Sequence, residues 1–315
     1  MPNVSIVIPC FNGKELLKKH LPSLIKEVNI KEDEIIVVND ASTDGSGEFI
    51  KDTYPFINLI ELKQNMGYSY ASNMGILKSK YNLVCLMGTD VEVTEGFLKP
   101  LLRHFERKDV FAVCSLELPL SGTRPSYALP VVEFKFGIFW YKYQPISGPL
   151  KEATPVLFAQ GACTVYDKQK FLLLGGHDTM FKPIYWEDMD LSFRAWKRGW
   201  QSLYEPESLH RHHSQTTISQ KYTCKYIEIF HWKNRFLFTW KNIKSPLLLV
   251  QHFLFLPFEL FLLPLFGKKE FTLGFIYALK QLPQVISKRF KRESGEIFTD
   301  TAIIRRFKVP VYQAA

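Results

Sequence analysis

The feature that most constrains the fold is an alternation of short Val- and Ile-rich segments with amphipathic segments between residues 4 and 90. The apolar segments have the length and composition of buried β-strands and cover residues 4–8, 34–39, 57–62 and 83–87. Residues 15–25 and 67–77 carry apolar positions at helical spacing. Strands that alternate with helices form right-handed crossover units. This order therefore predicts an α/β fold with a mostly parallel central sheet flanked by helices.

A residue of distinct chemistry lies at or just beyond the end of each predicted strand. These residues are Pro9, Asp40, Asn65 and Asp90. Ligands of open α/β sheets bind outside the carboxyl ends of the strands, so we expect the four residues to line one crevice. The sequence has neither a Gly-x-Gly-x-x-Gly nor a Gly-Lys-Ser/Thr segment. Neither a dinucleotide-binding fold nor a P-loop is therefore supported.

Two aspartates near the second strand are open to different interpretations. Asp40 directly follows a buried strand, where its carboxylate is placed to accept a hydrogen bond from a nucleobase N–H. Asp44 lies in the polar segment 41–46 and is explained equally well as a helix cap or as a ligand contact.

Three carboxylates fall within four residues near the middle of the chain, at Glu187, Asp188 and Asp190. The apolar residues that follow have helical spacing, so the carboxylates open an amphipathic helix that ends at Gly199. The helix dipole alone would explain one or two acidic residues there. Aromatic residues directly before them would also desolvate a carboxylate and raise its pKa toward that of a general base. We interpret this segment as the candidate catalytic site.

Four segments of the chain resemble, in order and spacing, the motifs of the family 2 glycosyltransferases of GT-A fold. They are VSIVIPCFN at 4–12, VVNDASTDGS at 37–46, NMGYS at 65–69 with Asn73, and WEDMDL at 186–191. The resemblance covers about residues 3–217. It implies a Rossmann-like GT-A sheet, a nucleotide-sugar donor and transfer with inversion of configuration.

The resemblance also implies a role for individual residues. The residues implied to bind the donor are Pro9, Asn12, Asp40, Asp44, Asn65, Gly67, Asn73 and Gly161. Asp188 would be the catalytic base, with Glu187 and Asp190 as supporting acidic residues and Asp190 able to pair with Arg194. Asp90 would hold a divalent cation, Mg²⁺ or Mn²⁺, against the donor diphosphate.

One departure from the family pattern concerns this cation. The family motif usually presents two acidic residues, whereas this chain has Gly88-Thr89-Asp90. The segment 209–216 contains three histidines and resembles the family segment in which a His completes the metal site. We favour His212 as that ligand. A solvated polar loop is the alternative for each of the three.

The C-terminal part differs in charge and composition from the rest. Residues 1–220 carry 24 Lys/Arg and 25 Asp/Glu, a net charge of −1, whereas residues 221–315 carry 16 and 6, a net charge of +10. We therefore divide the chain into a catalytic domain, 1–220, and a basic, aromatic, helical region, 221–315. The second region is too apolar for a solvated nucleic-acid-binding tail, so no nucleic-acid partner is expected.

Residues 246–266 are long and apolar enough to span a bilayer but include Gln251, His252 and Glu259. Helices lying in the interface, with the basic residues 288–292 at the lipid surface, fit this pattern better than a span. A helical subdomain buried on the catalytic core is the alternative.

These observations predict an inverting glycosyltransferase that acts in bacterial surface-polysaccharide synthesis. The donor would be a UDP- or dTDP-sugar, and the acceptor a hydroxyl of a lipid-linked or growing saccharide. The enzyme would be cytoplasmic and peripheral on the inner face of the plasma membrane. Two alternatives remain open: a polyprenyl-phosphate glycosyltransferase, and a non-catalytic nucleotide-sugar-binding subunit.

Overall fold

The computed structural model describes residues 2–120, 128–146, 148–213, 222–290 and 295–308. The strands are β1 (Val4–Cys10), β2 (Glu34–Asn39), β3 (Asn58–Glu61), β4 (Leu83–Met87), β5 (Val91–Val93), β6 (Val110–Leu118), β7 (Ala128–Lys135), β8 (Ile138–Pro145), β9 (Thr154–Val156), β10 (Cys163–Asp167) and β11 (Gln201–His212). The helices are α1 (Lys14–Glu27), α2 (Ser46–Thr53), α3 (Tyr68–Lys78), α4 (Leu98–Leu102), α5 (Lys168–Leu173), α6 (Glu187–Lys197), α7 (Cys224–Asn242), α8 (Pro246–Leu265), α9 (Lys269–Leu279), α10 (Leu282–Phe290) and α11 (Asp300–Arg306).

The main sheet has the strand order β3-β2-β1-β4-β10-β6-β11-β5, and β9 pairs with β11. Its first four strands are parallel neighbours, as the alternating sequence pattern predicts, and β6 is parallel to β11. Strand β10 is antiparallel to both β4 and β6, while β5 and β9 are antiparallel to β11. The predicted α/β class is therefore confirmed, with helices on both faces of the sheet.

Alternate side chains of β1 pack against different helices, which explains its continuous apolar sequence. Ile6 and Ile8 belong to a buried cluster that includes Leu17 of α1. Val7 belongs to the cluster on the opposite face, which includes Ile76 of α3. Burying an aliphatic side chain of this size stabilises a fold by about 1.5–3 kcal/mol. This strand is thus fixed from both sides, and so is the carboxyl end where the site lies.

Helix α3 lies unusually close to the sheet. A Cβ atom added at Gly75 would be 2.3 Å from Cγ1 of Val7 and 2.9 Å from Cγ2 of Val38. Both distances are too short for van der Waals contact, so only glycine permits this approach. The position of the α3 N-terminus, near the carboxyl end of β2, depends on this close approach.

The C-terminal helices pack on the catalytic helix through a third apolar cluster. Phe139 of β8, Phe193 of α6 and Phe238 of α7 contact one another, with ring centroids 4.8–6.1 Å apart. Trp186 packs on Phe238 at 5.4 Å. The β7–β8 hairpin and α7 therefore enclose the apolar face of α6. The sequence predicts this apolar face from the helical spacing of its residues.

A buried polar network joins the same helices. Asp190 is fully buried, and its carboxylate bonds Arg194, Lys241 and Asn242 at 2.7–2.9 Å. The predicted pairing of Asp190 with Arg194 is thus confirmed. Burial opposes ionisation of Asp190, but the two cations outweigh it and lower its pKa. Asp190 therefore holds α6 to α7. The predicted domain boundary at 220 lies outside the described residues and stays a prediction.

Helix α8 is mostly uncovered. It has 20 residues, of which Leu248, His252 and Leu256 are buried, and by length and composition it is apolar enough to cross a membrane. Its exposed apolar side chains include Leu247, Val250, Phe253, Leu254, Phe258, Phe261 and Leu265.

Candidate active site

Asp40 lies at the carboxyl end of β2 and organises the loop that enters α3. One carboxylate oxygen accepts from the backbone N–H of Met66 at 2.7 Å and the other from that of Gly67 at 2.8 Å. The amide of Asn65 donates to the Asp40 carbonyl at 3.3 Å. Each carboxylate oxygen keeps a further lone pair for a ligand. The nucleobase contact of Asp40 stays a prediction, while its support of the 65–67 loop is explicit.

Asn12 connects the ends of β1 and β2. Its side-chain oxygen accepts from the backbone N–H of Thr43 at 2.8 Å, and the backbone N–H of Asn12 donates to the hydroxyl of Ser42 at 2.9 Å. The backbone is left-handed at Asn12 (φ 51°) and at Ala41 (φ 57°), a conformation that is costly outside glycine. The two loops thus hold each other in a strained conformation beside Pro9, which is half-buried at the end of β1.

Asp44 has the geometry of a double helix cap. Its carboxylate accepts from the backbone N–H of Lys14 at 2.9 Å, at the start of α1, and from that of Ser46 at 3.0 Å, at the start of α2. Burial opposes ionisation, but the hydrogen bonds from Ser46 and Lys14 outweigh it and lower the pKa of Asp44. Of the two interpretations left open by the sequence, the cap is the one with contacts to support it.

Tyr68, the first residue of α3, lies at the centre of the site and carries no role in the sequence prediction. Its hydroxyl donates to the carbonyl of Gly161 at 3.1 Å. Burial, followed by the charges of Asp188 and Glu187, raises the pKa of Tyr68 well above its usual range. Its phenol is therefore a neutral hydrogen-bonding group in front of the acidic helix.

Gly161 lies directly against the predicted base. A Cβ atom at this position would be 2.8 Å from an oxygen of the Asp188 carboxylate and 2.9 Å from the Tyr68 hydroxyl. The next residue, Ala162, accepts a backbone hydrogen bond from Gly88 at 3.0 Å. The segment 161–162 therefore lies next to both the Asp188 carboxylate and the loop that bears Asp90.

The entry to α6 is strained and is held by the C-terminal region. Tyr185 (φ 61°) and Trp186 (φ 80°) are both left-handed, at a cost of about 1–3 kcal/mol each. The side-chain amide of Asn234, from α7, donates to the carbonyls of Phe181, Ile184 and Tyr185 at 2.6–3.0 Å. Asn234 is fully buried. A residue about 50 positions downstream thus fixes the turn that presents Glu187 and Asp188.

The two neighbouring carboxylates at the start of α6 differ in their surroundings. Burial, followed by the charge of Asp188, raises the pKa of Glu187 to about 8. The Asp188 side chain is 21% exposed, and one of its oxygens lies 3.2 Å from Nε2 of His177. The desolvation that the sequence predicts for this segment is therefore strongest at Glu187, the residue next to the predicted base.

Asn73 holds His177 in this position. Its amide donates to the carbonyl of His177 and accepts from the backbone N–H of the same residue, both at 2.8 Å. Both ends of the Asn73 amide are thus bonded to protein. The contacts show that Asn73 supports the residue whose imidazole lies beside Asp188, and its predicted role in donor binding stays a prediction.

Asp90 and His212 form the candidate cation site. An oxygen of the Asp90 carboxylate lies 3.3 Å from Nε2 of His212. Burial opposes protonation of His212, but the charges of Asp90 and Glu117 outweigh it and raise its pKa. One imidazole nitrogen beside carboxylate oxygens is a donor set that suits Mn²⁺ and accommodates Mg²⁺, so these residues fit a divalent cation.

Gly88, where the family motif usually has an acidic residue, lies against the Asp90 carboxylate. A Cβ atom there would be 2.7 Å from the Asp90 carboxylate oxygen. A side chain at this position would therefore require that carboxylate to shift. Glu117, at the end of β6, is a second carboxylate whose charge acts on His212 together with that of Asp90.

The other two histidines of this segment have different partners. His210 is buried and pairs with the hydroxyl of Ser115 at 3.0 Å, and its burial lowers its pKa to about 3. His213 lies 3.1 Å from Glu92. Among the described residues of 209–213, His212 is thus the histidine that pairs with Asp90, in agreement with our preference from the sequence. Residues 214–216 lie outside the described part of the chain.

The predicted residues converge through a continuous series of contacts. Asp40 binds the backbone of Gly67, the adjacent Tyr68 binds Gly161, and Gly161 lies against Asp188. We call this region, from the β2 end to α6 and including Asp90, the donor crevice. Asp190 is the exception, since it is directed into the α6–α7 network. Tyr68 stands inside the quoted NMGYS motif, whereas Asn234 has no local sequence signal.

Comparisons with known proteins agree with this geometry. The glycosyl transferase family 2 model matches residues 5–173, more than half of the chain. The chain is 23% identical over 217 residues to the poly-beta-1,6-N-acetyl-D-glucosamine synthase of Staphylococcus aureus (strain COL), covering 65% of this chain and 48% of that protein. It thus spans about half the length of that curated relative.

Two solved structures have a similar fold. One is GalNAc-T7 with UDP, GalNAc and Mn²⁺, at a TM-score of 0.64 and 18% identity, covering 78% of this chain and 49% of that one. The other is S. aureus TarS 1–349, at a TM-score of 0.57 and 16% identity, covering 91% and 82%. The predicted GT-A fold is confirmed by these likenesses. By the match of its family model, the chain belongs to glycosyl transferase family 2.

Proposed function

We propose that this protein is an inverting glycosyltransferase that moves a sugar from a nucleoside diphosphate to a hydroxyl of a lipid-linked or growing saccharide. The observation that supports the proposal is that the 161–162 segment lies next to both the Asp188 carboxylate and the loop that bears the Asp90–His212 pair. A leaving diphosphate and an attacking hydroxyl need opposite sides of one sugar. The crevice offers a group for each.

In the proposed reaction, Asp188 accepts the proton of the acceptor hydroxyl as that oxygen bonds to the anomeric carbon. The bond between that carbon and the diphosphate breaks on the opposite face, so the configuration inverts. A divalent cation held by Asp90 and His212 would neutralise the charge of the departing diphosphate. Asp40 and the loop it supports would contact the nucleobase.

Glu187 is assigned a supporting role in this scheme. Since its pKa is raised to about 8, it is mainly neutral near pH 7. Two adjacent carboxylates with different environments commonly divide their roles, so we assign the proton transfer to Asp188 and a supporting role to Glu187. Tyr68, neutral and bonded to Gly161, would complete the wall of the sugar pocket.

The exposed apolar face of α8 supports a lipid-linked acceptor. Phe253, Phe258 and Phe261 are each more than 60% exposed, which is costly in water and favourable at the hydrocarbon boundary. The prolines Pro257 and Pro264 lie inside this helix. We propose that α8 lies in the inner leaflet's interface and brings the enzyme to its acceptor. Basic residues 291–292, part of the predicted lipid contact, lie outside the described residues.

A nucleotide screen by thermal shift tests the donor assignment. UDP and dTDP are expected to raise the melting temperature in the presence of Mn²⁺ or Mg²⁺, since a ligand that binds only the folded state stabilises it. Asp90→Asn should remove the cation-dependent part of the shift. The absence of a response to any nucleoside diphosphate, with the cation present, contradicts the proposal.

A polyprenyl-phosphate acceptor is favoured by the same apolar helix and needs a different experiment. A phosphate acceptor is already ionised, so no base is required. Transfer to a polyprenyl phosphate by an Asp188→Asn variant at near-normal rate would establish this second function in place of the first.

A further inference from the structure

A second group of metal-ligating side chains lies where α1 meets β5 and the end of β11. It consists of His20 of α1, Glu92 of β5 and His213, which directly follows β11, and its ligand atoms all lie within 4.8 Å of one another. We propose that these three residues form a divalent-cation site of the His₂Glu type, suited to Zn²⁺, that is separate from the Asp90–His212 site.

His20 provides the observation that points to a ligand. Its side chain is only 3% exposed, yet neither ring nitrogen has a hydrogen-bond partner. A buried polar group without a partner is costly, and such groups in native proteins usually serve a ligand, a water or an ion. An imidazole nitrogen without another partner is available as a metal ligand.

The spacing of the three groups suits a shared ion. Nε2 of His213 lies 3.1 Å from a carboxylate oxygen of Glu92. Two ligands of a tetrahedral Zn²⁺ with bonds of about 2.0–2.2 Å are separated by roughly 3.3 Å. The rings of His20 and His213 are close, with centroids 4.4 Å apart and planes tilted by 39°. Two imidazoles and one carboxylate leave a fourth position for water.

The site is also accessible from solvent. The Glu92 side chain is 46% exposed and that of His213 21% exposed. A cation can therefore enter without unfolding of α1. His20 then supplies the buried ligand at the base of the site.

The location gives this ion a structural consequence for the donor crevice. The backbone N–H of His213 donates to the carbonyl of Asp90 at 2.9 Å, and His212 pairs with Val91 in the β5–β11 ladder. An ion that joins α1, β5 and His213 would thus restrain the backbone next to Asp90 and His212.

Zn²⁺ titration of the chelator-treated, full-length protein tests the site. Asp90→Asn keeps the proposed cluster but disables the crevice site. This variant should still bind one Zn²⁺ and gain thermal stability on binding. His20→Leu should lose that ion and the Zn²⁺-dependent stabilisation, while it folds well because it replaces an unpartnered buried polar group by an apolar one.

Two further variants keep the outcome decisive. Glu92→Gln removes a ligand at a half-exposed position and should weaken Zn²⁺ binding at least about tenfold, even if His20→Leu fails to fold. Glu95→Gln removes the same charge at a nearby exposed position and should bind as the parent protein does. Co²⁺ in place of Zn²⁺ should give a tetrahedral visible spectrum that is absent in His20→Leu. The proposal is overturned if the Asp90→Asn variant binds no Zn²⁺. It is also overturned if the double variant Asp90→Asn/Glu92→Gln binds Zn²⁺ as tightly as Asp90→Asn does.

Discussion

The amide of Asn73 bonds both the N–H and the carbonyl of His177, whose imidazole Nε2 lies 3.2 Å from the Asp188 carboxylate. This pair connects α3 with the segment before α6. Asn73, for which the family resemblance implies donor binding, is thereby also joined to the candidate base. The two roles of Asn73 make different kinetic predictions.

Asn73→Ala is expected to lower kcat, on the order of tenfold or more, with little change in the KM for the donor. The loss of two hydrogen bonds should also reduce the free energy of unfolding by about 1–3 kcal/mol. The reason is that His177 loses its anchor and the geometry beside Asp188 loosens. Steady-state kinetics with varied donor separate the two parameters. A raised donor KM with unchanged kcat would restore Asn73 to the donor pocket.

Asp188→Asn is expected to reduce kcat by about 10²–10⁴-fold, the usual contribution of a general base. Donor binding should persist, because Asp40 and Asp90, which are proposed to contact the nucleobase and to hold the cation, are unchanged. Asp52→Asn, at an exposed position on α2, changes the same charge far from the crevice and serves as the control. Product formation and nucleotide affinity are measured on the same preparations. Unimpaired hydroxyl glycosylation by Asp188→Asn would exclude it as the base.

The raised pKa of Glu187 predicts a pH dependence of stability with a defined sign. A carboxyl whose folded pKa is about 8, against an ordinary value of 4.5, binds more protons in the folded than in the unfolded state between these pH values. The unfolding free energy therefore falls as pH rises from about 4.5 to 8. Glu187→Gln is always neutral and should remove this slope, so the variant becomes the more stable protein at pH 8. Chemical denaturation at pH 5, 6.5 and 8 measures the difference, and identical pH slopes for both proteins contradict the assignment.

Much of the fold follows from local sequence pattern, whereas the connections within the site do not. The strands and helices of residues 4–90 form where apolar periodicity places them, since burial of Val and Ile decides their position. The sequence indicates a strand after residue 162, but its antiparallel insertion between β4 and β6 has no local signal. Asn234 is likewise invisible in sequence, because its three carbonyl partners lie about 50 residues away. Motifs locate the reacting groups, and long-range contacts determine how they are held.

Gly88 yields a test in which the usual family residue should be harmful. Gly88→Asp recreates the common acidic position, but its Cβ would lie 2.7 Å from the Asp90 carboxylate. We expect this variant and Gly88→Ala both to lose affinity for Mn²⁺, because each displaces Asp90 from His212. Cation titration of activity or of nucleotide-dependent melting gives the affinity. Tighter Mn²⁺ binding by Gly88→Asp would show that the loop adapts, and that the steric explanation is wrong.

Exposed phenylalanines of α8 provide the test of membrane attachment. Phe253 and Phe261 are 61% and 70% exposed, so their replacement by Glu should leave folding intact. Each buried Phe contributes about 1.5–3 kcal/mol at an apolar boundary, and a Glu there is also repelled by anionic lipid. Phe253→Glu/Phe261→Glu should therefore lose co-sedimentation with vesicles of phosphatidylglycerol and phosphatidylethanolamine.

Phe56→Glu, at a 47% exposed position beyond α2, is the matched control and should bind as the parent protein does. If the α8 double variant sediments with the vesicles as strongly as the parent protein does, the exposed face of α8 is not the lipid contact. Activity on a soluble acceptor should be unchanged in both variants, because neither position belongs to the donor crevice.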